Sequence, residues 1–365
     1  MTLRSSPVFR LGIQPLRYAL NVLRYLRRAR RGERPQSAAV VFDLSHNRFG
    51  RHLFTLAEFF ALADFDVEFR PRARFLAQLG RYSDQILTSP HMRLARRFRF
   101  DAQLRFCDRP RPGWLVLSDD YFRPASPASL HLPMAMHPNM YRYGYFRRSG
   151  ELATNAERTI PVLFAGNAAR AAYSGGAVAR VFGKLDRPAV LEALDAAFRP
   201  QIVRTLPGDS RPRAETPIVV CEASSCYIPQ ATFLQTLSRC AFFVAAPGDA
   251  VPMCHNAVEA MSVGAVPILN YPEQFHPPLE HGVDCLAFAT AEDLASCVRA
   301  ALSMKAEKLE ALRRGASAYY ERYLRPEAVV ESILRHDGAL ETVFVYADQC
   351  SVALLQRRQR EDGAA

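Results

Sequence analysis

Residues 246–268 read Ala246-Pro-Gly-Asp-Ala-Val-Pro-Met-Cys-His-Asn-Ala-Val-Glu-Ala-Met-Ser-Val-Gly-Ala-Val-Pro-Ile268, and the organisation of the chain follows from them. The apolar run Ala241-Phe-Phe-Val-Ala245 just before has the length of one buried strand. A Pro-Gly-Asp loop comes next, then a short helix over residues 253–263, a glycine stop at Gly264, and a second apolar strand over 266–269. Two buried strands joined by a helix pair in parallel, because a parallel pair needs a crossover. The loop leaves backbone N–H groups unpaired and aims a helix N-terminus at whatever binds there. That arrangement stabilises phosphate oxygens without requiring a metal. Glu259 lies two turns into the helix and can accept hydrogen bonds from sugar or ribose hydroxyls. An ordinary strand–helix–strand unit with a solvated Glu259 has the same composition.

The alternation extends in both directions. Residues 161–167 are strand then turn, 187–194 open a helix with proline near its first turn, 218–221 are a strand and 230–240 a helix. Residues 291–301 and 306–323 are amphipathic helices. The N-terminal half starts the same way, with strand 38–44, the loop Ser45-His-Asn-Arg-Phe-Gly50 and a helix over 52–63. Strands 66–69 and 114–117 come after it, the second ending in Ser118-Asp119-Asp120. In a parallel sheet, ligands sit beyond the carboxyl ends of the strands, which marks His46, Asn47, Gly50, Asp119 and Asp120. The stretch 132–139 reads as an extended linker, since residues before proline are pushed out of the helical region.

With 365 residues, 49% hydrophobic and 23% charged, the chain is long enough for two domains that each bury a core without disulfides. Its cysteines, at 107, 221, 226, 240, 254, 285, 297 and 350, form no CxxC pair and have no matching histidine spacing. Buried, reduced thiols are expected rather than disulfides or zinc ligands. The net charge of +11 is concentrated in the N-terminal half. Residues 1–35 hold nine arginines against Glu33, and residues 70–111 hold eleven against Asp84, Asp101 and Asp108. A field of that sign draws in lipid headgroups, phosphorylated acceptors or nucleic acid.

Within the first segment, Leu16, Ala19, Leu20, Leu23 and Leu26 recur at helical spacing, with Arg17, Arg24, Arg27, Arg28 and Arg31 beside or opposite the stripe. A basic amphipathic helix in an anionic membrane interface has this pattern; so has a helix packed on its own domain. No stretch approaches the ~20 apolar residues of a spanning helix, and no apolar signal region precedes a cleavage site. The expectation is a cytoplasmic protein, either soluble or peripheral on the inner face of the membrane. Aromatic residues interleave with arginine over 70–111, but no nucleic-acid motif accompanies them, so no nucleic-acid partner is expected.

The pattern Pro247-Gly-Asp249, nine residues, Glu259-Ala260, three residues, Gly264, two residues, Pro267 resembles the donor-binding segment of GT-B glycosyltransferases, most closely the exostosin-like family. The resemblance runs through Leu163-Phe-Ala-Gly-Asn167, Arg170, Tyr173 and Arg187-Pro-Ala-Val-Leu-Glu192 to Gly282-Val-Asp-Cys-Leu-Ala-Phe288, and covers roughly residues 160–325. The end of the segment is also similar to the retaining family that contains glycogen and sucrose synthases. That family carries an earlier glutamate eight positions before the last, where this chain has Val251.

The resemblance implies an α/β protein of GT-B type, with two Rossmann-like domains facing a central cleft. Residues 36–150 would form the acceptor side and 151–325 the nucleotide-sugar side. A basic segment, 1–35, precedes them, and a helical tail, 326–365, packs back on the N-terminal domain. The implied reaction moves a sugar from a nucleotide-sugar donor to a glycan or lipid-linked acceptor, with no cofactor and no essential metal. The implied donor site comprises Gly166, Asn167, Arg170, Lys184, Arg187, Pro247, Gly248, Asp249, His255, Asn256 and Glu259. Arg170, Lys184 and Arg187 would neutralise the leaving diphosphate. An inverting reaction needs a base, for which His46, His52, Asp119, Asp120 and His137 are candidates that the sequence does not separate. A nucleotide-sugar epimerase of the same fold is one alternative, and a non-enzymatic anion- or nucleic-acid-binding protein is another.

Overall fold

Every residue of the strands Ala39–Asp43 and Cys240–Val244 is buried, with no polar alternation. Strands apolar on both faces belong to parallel sheets covered by helices on either side. The computed structural model has two such sheets and describes residues 19–23, 38–80, 82–95, 101–207, 216–336 and 339–362.

In chain order the principal elements begin with β1 (Ala39–Asp43), α1 (Arg51–Leu62), β2 (Asp66–Phe69), β3 (Met92–Leu94), β4 (Leu104–Cys107), β5 (Leu115–Ser118) and β6 (Ser129–His131). Next come α2 (Pro138–Arg142), β7 (Ile160–Gly166), α3 (Arg187–Phe198), β8 (Ile202–Val203), β9 (Ile218–Glu222), α4 (Gln230–Ser238), β10 (Cys240–Val244) and α5 (His255–Ser262). After these stand β11 (Val266–Leu269), β12 (Leu286–Ala287), α6 (Ala291–Leu302) and α7 (Ala306–Tyr319). The tail contributes α8 (Pro326–Leu334), β13 (Thr342–Phe344) and α9 (Gln349–Asp362). The chain divides into two compact units, Met1–Leu132 with Pro326–Ala365, and Pro133–Arg325.

The first unit holds an all-parallel sheet of order β3-β2-β1-β4-β5-β13-β6. Its register is set by a row of phenylalanines. Phe42 pairs with Phe69 and with Phe106, and its ring stacks on each at 4.8 and 4.9 Å. Each aromatic pair adds about 0.5–1.5 kcal/mol beyond the burial of its area, and a one-residue slip would lose both. The chain leaves β1 toward β2 and β3 on one side and returns as β4 on the other. The carboxyl ends of β1 and β4 therefore form the switch point of a doubly wound sheet. The tail, expected to be helical, supplies strand β13 between β5 and β6. Three residues are too few to show a strand period, and the helices α8 and α9 on either side conceal it.

The second unit holds a parallel sheet of order β12-β11-β10-β7-β9-β8. Here β7 is central, with β8 and β9 on one side and β10, β11 and β12 on the other, so the switch point lies between β7 and β10. The segment 246–268 folds as its sequence predicts: loop, α5, a stop at Gly264 with φ +72°, then β11. Residues 133–150 belong to this unit, and within them Pro138 opens α2 while the His137 side chain caps it by accepting from the Asn139 N–H.

The basic N-terminal segment lies outside the described residues except for 19–23, which are helical. There Leu20 and Leu23, expected on one apolar stripe, are exposed. The buried residue is Asn21, whose amide donates to the carbonyls of Leu76 and Leu79 at 2.8 and 3.3 Å. Among the described residues no helix is long and apolar enough to cross a membrane.

Candidate functional site

At the switch point of the second unit an open pocket of about 180 Å³ is lined by Gly166 from the end of β7, by His255, Asn256 and Glu259 from the start of α5, and by His137 and Met140. Its remaining wall is the loop after β9, with Cys221, Cys226, Tyr227 and Ile228, and the first turns of α4, with Gln230 and Phe233.

The loop 246–254 is held open by a single buried side chain. Arg187, in the first turn of α3, is 7% exposed. It donates from Nε to the Pro247 carbonyl at 3.1 Å, from Nη2 to the Ala246 carbonyl at 3.3 Å, and from Nη1 to the Asn167 carbonyl at 3.0 Å. Nη2 also contacts Cys254 Sγ at 3.2 Å, and the guanidinium lies over the Tyr173 ring. Burial opposes its charge, but Cys254, Tyr173 and Tyr271 outweigh that and hold its pKa above the ordinary value. The result is a buried cation whose hydrogen bonds run to carbonyls and a thiol. A Cβ at Gly166 would stand 2.9 Å from Arg187 Nη1, so any larger residue here would push the guanidinium off the carbonyls it holds.

The pocket wall also holds a buried carboxylate. Glu259 is 2% exposed and accepts the backbone N–H of His137 at 2.9 Å. Burial pushes its pKa up to about 7, against the pull of that hydrogen bond. The Asn256 amide donates to the Ala165 carbonyl at 3.0 Å and ties α5 to β7. No side chain caps the N-terminus of α5, where Cys254 occupies the cap position, and its first two residues, His255 and Asn256, line the pocket. His137 packs edge-on against His255, and its Nδ1 lies 2.9 Å from Gln230 Nε2.

The structure thus brings Gly166, His255, Asn256, Glu259 and His137 together. Pro247, Gly248 and Asp249 shape the adjoining loop: a Cβ on Gly248 would meet the Val251 carbonyl at 2.9 Å, and the exposed Asp249 accepts the Ala250 N–H. Asn167 is exposed, its carbonyl used by Arg187 and Tyr173. Arg170 pairs with Glu192, and Lys184 with Glu273 at 2.8 Å, both outside the pocket lining.

The other candidate bases lie in the first unit. His46 Nδ1 is 2.6 Å from Asp108 Oδ2, which also accepts the Ser45 N–H at 2.7 Å. Burial works to raise the Asp108 pKa, but the bonds from Ser45 and His46 bring it below the ordinary range. His52 is buried against Tyr346, and burial lowers its pKa. Asp119 pairs with Arg48 at 3.3 Å, and Asp120 with Arg358.

Cys221, Cys226, Tyr227 and Gln230 were not among the predicted site residues. Their signal was present: the strand 218–221 was legible, and the loop beyond its carboxyl end falls under the same rule that singled out the others. All eight cysteines are free, with Cys226 Sγ 2.8 Å from Cys221 Sγ and burial raising the Cys221 thiol pKa. Among the described residues no group of three or more His, Cys, Asp or Glu is placed to hold a metal ion.

No family model matches the chain, and no curated protein does. Solved structures do. A glycosyltransferase from Rickettsia africae ESF-5 is 8% identical over 84% of this chain and 99% of its own, with a TM-score of 0.49. Anabaena HepE in complex with UDP and glucose is 12% identical over 84% of this chain and 100% of its own, with a TM-score of 0.41. The wall teichoic acid polymerase TagF is 10% identical over 92% of this chain and 98% of its own, with a TM-score of 0.29.

Proposed function

We propose that this chain is a glycosyltransferase of GT-B type that holds a nucleotide-sugar donor in the pocket of its second unit. One observation carries this reading: a buried carboxylate, Glu259, lines a pocket at the switch point of a parallel sheet, and a buried guanidinium, Arg187, stands directly behind Gly166 in its wall. A nucleotide sugar matches both, with a diphosphate for the cation and hydroxyls for the carboxylate. The diphosphate lies against Gly166 and the open N-terminus of α5, where backbone N–H groups and the helix dipole favour negative charge.

Arg187 acts through its field rather than by contact, because its N–H groups already hold carbonyls 167, 246 and 247. A fixed positive charge in a water-poor site stabilises the charge that grows on the leaving diphosphate as the glycosidic bond breaks. This is the work a divalent ion does in other transferases, so transfer is proposed to be metal-independent. Glu259, when ionised, accepts hydrogen bonds from donor hydroxyls and orients the sugar. The acceptor is a glycan or lipid-linked glycan.

The test is calorimetric titration with a panel of nucleotide sugars. One member binds the wild-type chain, and Glu259→Ala weakens it about tenfold or more, since the lost bond is charge-assisted. Unchanged affinity in a folded Glu259→Ala protein would sink the donor-site assignment. Release of an epimerised nucleotide sugar without any acceptor would sink the transferase.

A further inference from the structure

We infer that the first unit carries its own anion site, built by Arg70, Arg72 and Arg111 around Asp43, which takes the phosphate group of a substrate. On the glycosyl-transfer reading that substrate is the acceptor, and only this last identification rests on that reading.

The phenylalanine register Phe69–Phe42–Phe106 aligns the residues just beyond each ring: Asp43 ends β1, Arg70 and Arg72 succeed β2, and Cys107 and Asp108 close β4. The side chain of Asp43 has no solvent exposure, yet three guanidiniums reach it. Arg72 holds it with two bonds, Nε to Oδ1 at 2.6 Å and Nη2 to Oδ2 at 2.9 Å. Arg111 donates to Oδ2 at 2.7 Å and Arg70 to the same oxygen at 3.2 Å. One carboxylate thus orients three cations. Asp108 also acts on Arg72, and it is held by Ser45 and His46.

The guanidinium-bearing side chains remain 37–45% exposed, so a cationic face is presented at the switch point of the sheet, the place topology reserves for a ligand. A second observation points the same way. Asn47, in the loop that leaves β1, is 9% exposed, and neither side-chain Nδ2 nor Oδ1 has a hydrogen-bond partner among the described residues. Its backbone N–H donates to Gln78 Oε1 at 2.8 Å, so the loop itself is fixed. A buried amide without partners is costly, and a ligand bearing acceptor oxygens and hydroxyls would satisfy it. Several guanidiniums converging from different strands suit the tetrahedral oxygens of phosphate better than the planar pair of a carboxylate.

The test uses the full chain and titration calorimetry with inorganic phosphate, with acetate as the carboxylate comparison. Phosphate binds saturably and more weakly as salt rises. Arg111→Gln and, independently, Arg70→Gln each weaken it about tenfold or more in proteins whose circular dichroism shows them folded at the titration temperature. A phosphate event at the second unit survives in both variants and is subtracted. If neither variant changes phosphate binding, or acetate binds as tightly, the inference is overturned.

Vesicles containing phosphatidic acid separate the sources. Arg111-dependent binding that phosphate competes away assigns the group to a lipid, and its absence beside Arg111-dependent phosphate binding assigns it to a soluble substrate. Nucleotide-sugar titration on the same proteins keeps the two readings apart. A wild-type chain that binds phosphate through Arg111 but binds no nucleotide sugar loses its donor pocket and keeps this site.

Discussion

Glu259 is a carboxyl group poised between two charge states at neutral pH, because burial lifts its pKa to about 7. Only the ionised form accepts hydroxyl hydrogen bonds at both oxygens, so donor affinity should rise as pH increases through about 7. In Glu259→Gln the profile should be flat, as titrations across pH 6 to 8.5 would show. Stability runs in the opposite direction. A raised folded pKa gives stability that is complete below the unfolded value near 4.5 and is lost as pH rises through about 7. At about pH 8 the Glu259→Gln protein should therefore be the more stable by on the order of 2–3 kcal/mol in urea denaturation. Asp43 is the converse case. Burial raises its pKa, but hydrogen bonds from Arg72 and Arg111 outweigh this and lower it to about 2. Its contribution is present above an ordinary aspartate pKa near 4 and disappears as pH falls toward about 2. Asp43→Asn should flatten that acid limb and cost about 3 kcal/mol at neutral pH, since three guanidiniums lose their anion. Glu259 was legible because one strand, loop and helix carry its whole context. The arginine cluster was not, because its members come from different segments and the sequence shows only that arginine is abundant there.

At the scale of elements, the strand–helix alternation was readable wherever a strand had four or more apolar residues and a helix two or more turns. β1, β7, β9, β10 and β11 and helices α1, α3, α5, α6 and α7 fall near their predicted positions. The failures are short elements and contacts across long sequence separations. β6 ends just before the stretch 132–139 read as linker, α2 begins within it, and His137 meets Glu259 across 122 residues. No periodicity reports such a meeting. Packing between elements also leaves a mark that sequence hides. Gly315 in α7 lies so close to residue 283 that a Cβ there would stand 2.0 Å from the Val283 carbonyl. Gly315→Ala, which ordinarily favours a helix, should here destabilise the second unit by about 2 kcal/mol or more. A thermal melt in which the variant matches wild type would show that the helix can shift at no cost.

At the scale of the whole molecule, the second unit is one continuous stretch of chain, Pro133–Arg325, whereas the first is assembled from both termini. The fragment 133–325 should fold alone and keep its nucleotide-sugar affinity, by circular dichroism and titration. The fragment 1–325 lacks β13 and leaves β5 and β6 with no strand between them, so its first unit should be unfolded, with exchange-labile amides over 38–132. The central place of β13 also has a consequence for synthesis on the ribosome. Proteins made from the N-terminus usually fold their first domain first, at a pace of roughly 5–20 residues per second. Here the order is reversed: the later-made unit can close while the earlier one waits on the order of tens of seconds for its last inner strand. Any product that ends early is left with an open, unfinished sheet, which marks it for proteolysis before it can accumulate.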